Sequence, residues 1–192
     1  MSLLIGIDEA GMGTLAGPMT ASIVVFEEGK VPRGVRDSKA LSEARREELA
    51  AEIMSSAYEY YVVERGADLI DRHGLSACWE SAMKELAGLG QLCYPRGVKE
   101  FIVDGNRFVP DSPFVQPVVK ADVTHPAVSA ASILAKYTQC CWMDDAHLKY
   151  PQYRFDHHRG YGSAEHLRIL KELGPCPIHR KSYKPVRLAA RS

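Results

Sequence analysis

Four acids stand where apolar segments stop. Asp8 closes Ile5-Gly6-Ile7 and is followed at once by Glu9; Asp104 closes Phe101-Ile102-Val103; Asp122 comes just after a third apolar stretch, Val115 to Lys120. A carboxylate at the end of a buried strand is costly unless it is paired, hydrogen-bonded or bound to a cation. One such acid could cap a turn. Two on separate strands, with Glu9 adjacent and Asp122 beyond a third, imply a common site whose mutual repulsion calls for cations. Oxygen donors without His or Cys suit Mg2+ or Mn2+ rather than Zn2+. A pair of such ions about 4 Å apart can activate water and stabilise a leaving oxygen in phosphodiester cleavage. Spacing alone does not prove that the four acids meet.

Other residues have the chemistry to hold a substrate. Gly11 and Gly13 flank Met12; a backbone free of side chains can come close to a ligand and aim N–H groups at a phosphate or a hydroxyl. A plain tight turn is the alternative. Ser38 and Lys39 could position a phosphate backbone without reading bases, and Arg180, Lys181, Ser182 and Lys184 could line the same polyanion. Tyr161 lies between two glycines ahead of a helix, either exposed or packed over the helix start. Lys136, in an otherwise apolar helix, could reach the acids or a phosphate, or extend to the surface. His157 and His158 are adjacent and lack zinc-type spacing with cysteine, and His166 is placed at the helix start after Tyr161.

These residues need a frame. Leu3 to Asp8 and Thr20 to Phe26 read as a pair of strands in a hairpin. Ser42 reads as the N-cap of a helix running to about Ser56. Tyr58 to Val63 is a third strand, Asp68 to Leu89 is helical with a break near Gly74, and Phe101 to Asp104 and Val115 to Lys120 are two further strands. Pro126 opens a helix whose residues 127–135 are small or apolar on all sides, as in a buried, closely packed helix. A last helix spans Ser163 to Leu173 and stops at Gly174-Pro175. This is an α/β pattern with a mixed sheet, in which ligands bind at strand ends.

The 192 residues carry no net charge, yet from Lys149 onward ten Lys or Arg face only three acids. The expected organisation is a catalytic body of residues 1–148 and a basic, substrate-binding helical extension of 149–192 within the same compact unit. No apolar run approaches the roughly 20 residues of a membrane span, the N-terminus lacks a signal-peptide pattern, and five cysteines form no C-x-x-C pair. The expectation is a cytoplasmic protein with reduced thiols and no membrane partner.

The motifs fall in a recognisable order. Gly6-Ile7-Asp8-Glu9-Ala10-Gly11-Met12-Gly13 with Ala16-Gly17-Pro18, then Asp37-Ser38-Lys39-Ala40-Leu41, Val103-Asp104-Gly105-Asn106, Lys120-Ala121-Asp122, and Ala131 to Lys136 come in turn. Gly160 to His166 and His179-Arg180-Lys181-Ser182-Tyr183 close the series. Together, from about residue 3 to 186, they resemble the ribonuclease HII family. The resemblance implies an RNase H-like five-stranded mixed sheet flanked by helices, with a C-terminal helical region. It implies an endonuclease that hydrolyses the phosphodiester 5′ to ribonucleotides in duplex DNA or RNA–DNA hybrids, leaving a 3′-hydroxyl and a 5′-phosphate, in ribonucleotide excision and RNA primer removal. Asp8, Glu9, Asp104 and Asp122 would be the catalytic acids and ligands of Mn2+ or Mg2+, with Asp8 bridging two ions. The nucleophile would be an activated water, and the ribose 2′-hydroxyl the mark that is read. Tyr161 would stack on the sugar, with Gly11, Met12, Gly13, Ser38, Lys39, Arg180 and Ser182 binding substrate. Aspartate at the fourth acidic position, with no extra N-terminal domain, favours this family over ribonuclease HIII.

One position departs from the pattern. The family's G-x-G turn carries Arg or Lys in the middle, and here it is Met12. The expectation is weaker substrate affinity with the chemistry retained. Two other readings stand beside the enzyme: a nucleic-acid-binding protein that keeps the fold without turnover, and a two-metal enzyme acting on a small phosphate ester. The intact acids oppose the first, and the basic tail with Tyr161 opposes the second. A monomer is expected, and residues 188–192 show no segment of the kind that docks on a sliding clamp.

Overall fold

The computed structural model describes residues 2–35, 41–94, 96–107 and 113–190. Its sheet has five strands: β1 (Leu3–Ala10), β2 (Met19–Glu27), β3 (Glu59–Arg65), β4 (Val98–Asp104) and β5 (Gln116–Val118), in the order β3-β2-β1-β4-β5. β1 pairs in parallel with β4, and β4 with β5. The sheet is mixed and the helices flank it, as the α/β pattern of apolar runs predicts.

The helices begin and end for local reasons. α1 (Glu43–Ser56) starts at Ser42, whose hydroxyl accepts from the Arg45 N–H, satisfying an amide that lacks a helical partner. The break in the next helical stretch is real. Gly74 sits at φ 82° and separates α2 (Ala67–His73) from α3 (Leu75–Cys93). α4 (Ala121–Thr124) is a single turn, entered through Lys120 at φ 56°. α5 (Pro126–Lys149) starts with proline, whose missing N–H costs nothing at that position. α6 (Phe155–His158), α7 (Ala164–Leu173) and α8 (Lys184–Ala189) complete the chain.

By its contacts the chain divides into two compact units, interleaved in sequence. One comprises residues 1–10, 21–63 and 80–137; the other comprises 11–20, 64–79 and 138–192. The expected division at 148/149 follows charge, whereas this one follows packing, and the two differ.

In the first unit the small residues of α5 explain its position. Gly6 on β1 has no side chain, and a Cβ there would lie 2.2–2.5 Å from backbone atoms of Ala127 and Val128. The helix therefore rests on the strand at a separation that only glycine allows. Ala127, Ala130, Ala131, Ile133 and Leu134 pack with Val24, Phe26, Leu49 and Ile53 in one buried cluster. The Ser22 hydroxyl donates to the Ala131 carbonyl at 2.7 Å. In the second unit, Ala16, Met143, Ala146, Tyr153, Phe155, Ile169 and Cys176 form a separate core.

Candidate active site

Strand register brings the first two acids together. Ile7 pairs with Val103 across the parallel β1–β4 ladder, so the next residue on each strand, Asp8 and Asp104, stands at the same level on neighbouring strands. Side chains alternate along a strand, which puts Asp8 on the face of Gly6. α5 covers that face: Val128 lies over Gly6, and Ser132, one helical turn on, hydrogen-bonds the Asp8 carboxylate. Two residues along a strand and four along a helix span similar lengths, about 6–7 Å, so the two contacts stay in step. Asp8 is 5% exposed. Burial raises its pKa well above the usual carboxylate range, and the charges of Glu9 and Asp104 push it up further, against the hydrogen bonds from Ser132 and the Glu9 N–H.

Asp104 ends β4, and its Oδ1 accepts from the Ala121 N–H at 2.7 Å. That bond fixes the start of α4, which carries the buried Asp122. The Ser129 hydroxyl of α5 donates to the Asp122 carbonyl, tying α4 down from the other end. Ile102, Ala121 and Val128 pack together as the floor of this arrangement. All four acids thus belong to one unit, held by β1, β4, α4 and α5. Among the described residues no three His, Cys, Asp or Glu side chains stand close enough to hold one ion as they are. Each of the two acids at the strand ends also accepts a backbone N–H, Asp8 from Glu9 and Asp104 from Ala121.

The second unit holds the glycine turn and Tyr161. Gly11 sits at φ 79°, and a Cβ there would be 2.7 Å from the Pro18 carbonyl oxygen. Gly13 differs: its Cβ would meet nothing within 4 Å among the described residues, so these leave space beside the turn. Thr14 bridges to Tyr161, and the Leu15 N–H donates to the Gly160 carbonyl at 2.7 Å. The Tyr161 backbone is held further by its N–H to the His158 carbonyl and by its own carbonyl, which accepts from the Ser163 N–H and from His166 Nδ1. The residue remains 41% exposed. A fixed backbone under an exposed ring is an arrangement suited to stacking.

Two histidines, His166 and His179, sit behind that tyrosine in a chain of hydrogen bonds, with a third, His158, stacked on His166. His166 Nδ1 faces the Tyr161 carbonyl at 2.8 Å, so it carries the proton, and His166 Nε2 must accept. His179 Nε2 lies 3.0 Å away and donates; His179 Nδ1 accepts from the Cys176 N–H at 3.0 Å. This network assigns neutral tautomers with one direction throughout. His158 stacks on His166 with ring centroids 4.1 Å apart. Burial pushes His166 and His179 down to about 4, and each is further disfavoured as a cation by its histidine neighbours. The sequence reading placed His166 correctly at the helix start but did not foresee the chain.

The basic tail differs from a simple row of surface cations. Arg180, expected to line a polyanion, is 0% exposed. It is enclosed by carbonyl groups of the glycine turn. Asp71 accepts from the N–H groups of Lys181 and Ser182, each at 2.8 Å, and from the Ser182 hydroxyl at 2.6 Å. That acid was missed, since an isolated Asp within a helical stretch carries no signal of its own. Arg154, Arg159 and Arg168 are in ion pairs with Glu165, Asp144 and Glu172. Lys136 is half-buried on α5, and Ser38 and Lys39 lie outside the described residues.

The sequence model of ribonuclease HII matches residues 5–186. This chain belongs to the ribonuclease HII family. The ribonuclease HII of Acidovorax sp. strain JS42 is 42% identical over 184 residues, covering 96% of this chain and 86% of that protein. The structure of the complex of PCNA with RNase HII from Archaeoglobus fulgidus superposes with a TM-score of 0.80 at 27% identity, over 95% of each chain. Bst-RNase HIII in complex with Mn2+ shares the fold, with a TM-score of 0.75 at 19% identity, over 99% of this chain and 70% of that one. The chain is therefore a type 2 ribonuclease H, an endonuclease, and its five-stranded mixed sheet is the RNase H-like fold of these relatives. Among the described residues no helix is long and apolar enough to cross a membrane.

Proposed function

We propose that this ribonuclease HII hydrolyses the phosphodiester on the 5′ side of a ribonucleotide embedded in duplex DNA or in an RNA–DNA hybrid, leaving a 3′-hydroxyl and a 5′-phosphate. The observation that carries the reading is the register of β1 and β4, which sets Asp8 beside Asp104 with Glu9 adjacent; burial first, and these like charges second, raise the Asp8 pKa. The donor set is all carboxylate oxygen, which fits Mg2+ or Mn2+. A relative of the same fold was crystallised with Mn2+. Asp8, Glu9, Asp104 and Asp122 would hold two such ions, whose charge activates water and stabilises the departing 3′-oxygen. The Asp8 and Asp104 side chains would exchange their present amide partners for that role. Asp8, with acids on both its own and the neighbouring strand, is the residue best suited to serve both ions.

Substrate recognition is assigned to the second unit. Gly11, Met12 and Gly13 offer backbone N–H groups beside open space, and Tyr161 offers an exposed ring to the sugar next to the ribonucleotide. Ser38 and Lys39 would contact phosphates, as would Ser182 if its hydroxyl leaves Asp71. The reading places the protein in ribonucleotide excision and RNA primer removal, acting as a monomer in the cytoplasm. Mapping the cleaved ends of a 5′-labelled duplex that contains one ribonucleotide tests the position of the cut; products that end 3′ to the ribonucleotide would contradict it. Tyr161→Ala is expected to lose more activity on that duplex than on a continuous hybrid, by about tenfold, the scale of one stacked base. Equal losses on both substrates would remove the junction-reading role.

A further inference from the structure

We infer that Arg180 is a positioning residue for recognition: its buried guanidinium holds the carbonyls of the glycine turn inward and so aims the N–H groups of Met12 and Gly13 at the ribose-phosphate of the substrate. The inference rests on the reading of that turn as the ribonucleotide site and adds what orients it.

The geometry is specific. Arg180 Nη2 donates to the Gly11 carbonyl at 2.7 Å, Nη1 to the Met12 carbonyl at 3.1 Å, and Nε to the Gly17 carbonyl at 3.1 Å. Nη1 also donates to the Tyr183 hydroxyl at 3.0 Å, and that hydroxyl in turn lies 3.4 Å from the Met12 carbonyl. The guanidinium carbon stands 5.4 Å from the centre of the Tyr183 ring. A buried cation ordinarily faces a carboxylate. Among the described residues its acceptors are main-chain carbonyls and a phenol, so its fixed planar fork holds the Gly11–Gly17 segment in shape.

The consequence follows from the planar trans peptide, in which C=O and N–H point in opposite directions. The Gly11 carbonyl shares its peptide with the Met12 N–H, and the Met12 carbonyl shares its peptide with the Gly13 N–H. Pulling both carbonyls toward Arg180 turns both N–H groups away from it. The positive φ of Gly11 is what lets the turn present them in succession, the arrangement that cradles anions and hydroxyls. Gly13 is exposed, and no described residue comes within 4 Å of its Cβ position. A positive charge on the carbonyl side also polarises each peptide and strengthens its N–H as a donor. With Met12 in place of a basic residue, the cation acting on this turn comes from within the fold.

The test measures discrimination rather than stability. In an Asp104→Asn background with Mg2+, anisotropy gives Kd for a labelled duplex with one ribonucleotide and for the all-DNA duplex of the same sequence. Arg180→Lys keeps the charge but not the fork. It is expected to reduce the ratio of the two Kd values about tenfold, the worth of a charge-assisted hydrogen bond or two. Affinity for the all-DNA duplex should fall less, and its salt dependence should keep its slope. An unchanged ratio in a folded variant overturns the inference. So does equal weakening on both duplexes with a shallower salt dependence, the mark of a direct phosphate contact. Tyr183→Phe, a milder change, reads the same quantity should Arg180→Lys not fold: about a threefold drop is expected on the same hydrogen-bond scale, and no drop overturns the inference. Equal binding of both duplexes by the parent protein would instead overturn the functional reading on which the inference rests.

Discussion

A buried acid that pays for its charge only when a cation arrives leaves a recognisable pattern of effects. Asp8 is destabilising as a carboxylate in this fold, because burial and the neighbouring Glu9 and Asp104 all oppose its ionisation. Asp8→Asn is therefore expected to raise Tm in EDTA by a few degrees, about 3 °C for each kcal/mol of relieved cost. The same change should cut activity about 10³-fold, the scale seen when one charge-stabilising group is lost, and should weaken the Tm increase that Mg2+ or Mn2+ produces. Scanning calorimetry with and without the metal checks this; a variant less stable than the parent in EDTA would mean that the carboxylate is a structural partner. Met12 is the complementary case. It is half-buried beside the exposed Gly13, so Met12→Arg adds a cation at the edge of the turn. The expected result is a KM several-fold lower on a single-ribonucleotide duplex, with kcat unchanged and a steeper salt dependence, by about one more phosphate contact. No change in KM or in salt dependence would show that this position does not face substrate.

At the scale of elements, two packings set the site and one of them answers to pH. Gly6→Ala should destabilise by about 2 kcal/mol or more, since its Cβ would meet the backbone of α5 rather than a movable side chain; urea unfolding measures it. The histidine chain behind Tyr161 has the sign of a buried neutral group. The folded pKa values of His166 and His179, about 4, lie below the 6.5 of a free imidazole. The unfolded chain therefore binds more protons between those values, and the stability that these residues contribute is complete above about pH 6.5 and lost as the pH falls toward 4. Each contributes a slope of up to about 1.4 kcal/mol per pH unit. In His179→Asn the fall in Tm from pH 7 to pH 5 should be shallower than in the parent; equal slopes would show that the chain is already protonated or solvated. Much of this level was legible beforehand. The apolar runs ending in Asp8 and Asp104 predicted strands, and Ser42 predicted a cap that the structure contains. The pattern from about Ser163 predicted a helix where α7 begins, and the small residues after Pro126 predicted a helix pressed on the sheet. α8 was not legible, because Pro185 reads as a breaker although it occupies the first turn. The histidine chain was not legible either, since it joins residues 13 apart that no local period connects. Arg180 looked like its basic neighbours, and only burial separates a cation that shapes a turn from one that meets solvent.

For the whole molecule, the two interleaved units do not follow the charge asymmetry along the chain: the four acids lie in one, and the glycine turn, Tyr161 and Arg180 in the other. The basic excess beyond residue 149 is partly consumed inside the fold, by the burial of Arg180 and by the ion pairs of Arg154, Arg159 and Arg168. Under the proposed function, fewer than the ten cations of that segment are left to meet phosphate. The central claim is that the acids cut and do so next to a ribonucleotide. The measurement that addresses it most directly is incubation of the protein, with Mg2+ or Mn2+, on an end-labelled duplex that contains a single ribonucleotide, beside its all-DNA counterpart and the Asp104→Asn variant. Cleavage 5′ to the ribonucleotide by the parent, with none on all-DNA and none by Asp104→Asn, is the predicted result. Binding without cleavage by the parent, or cleavage that persists in Asp104→Asn, would contradict it.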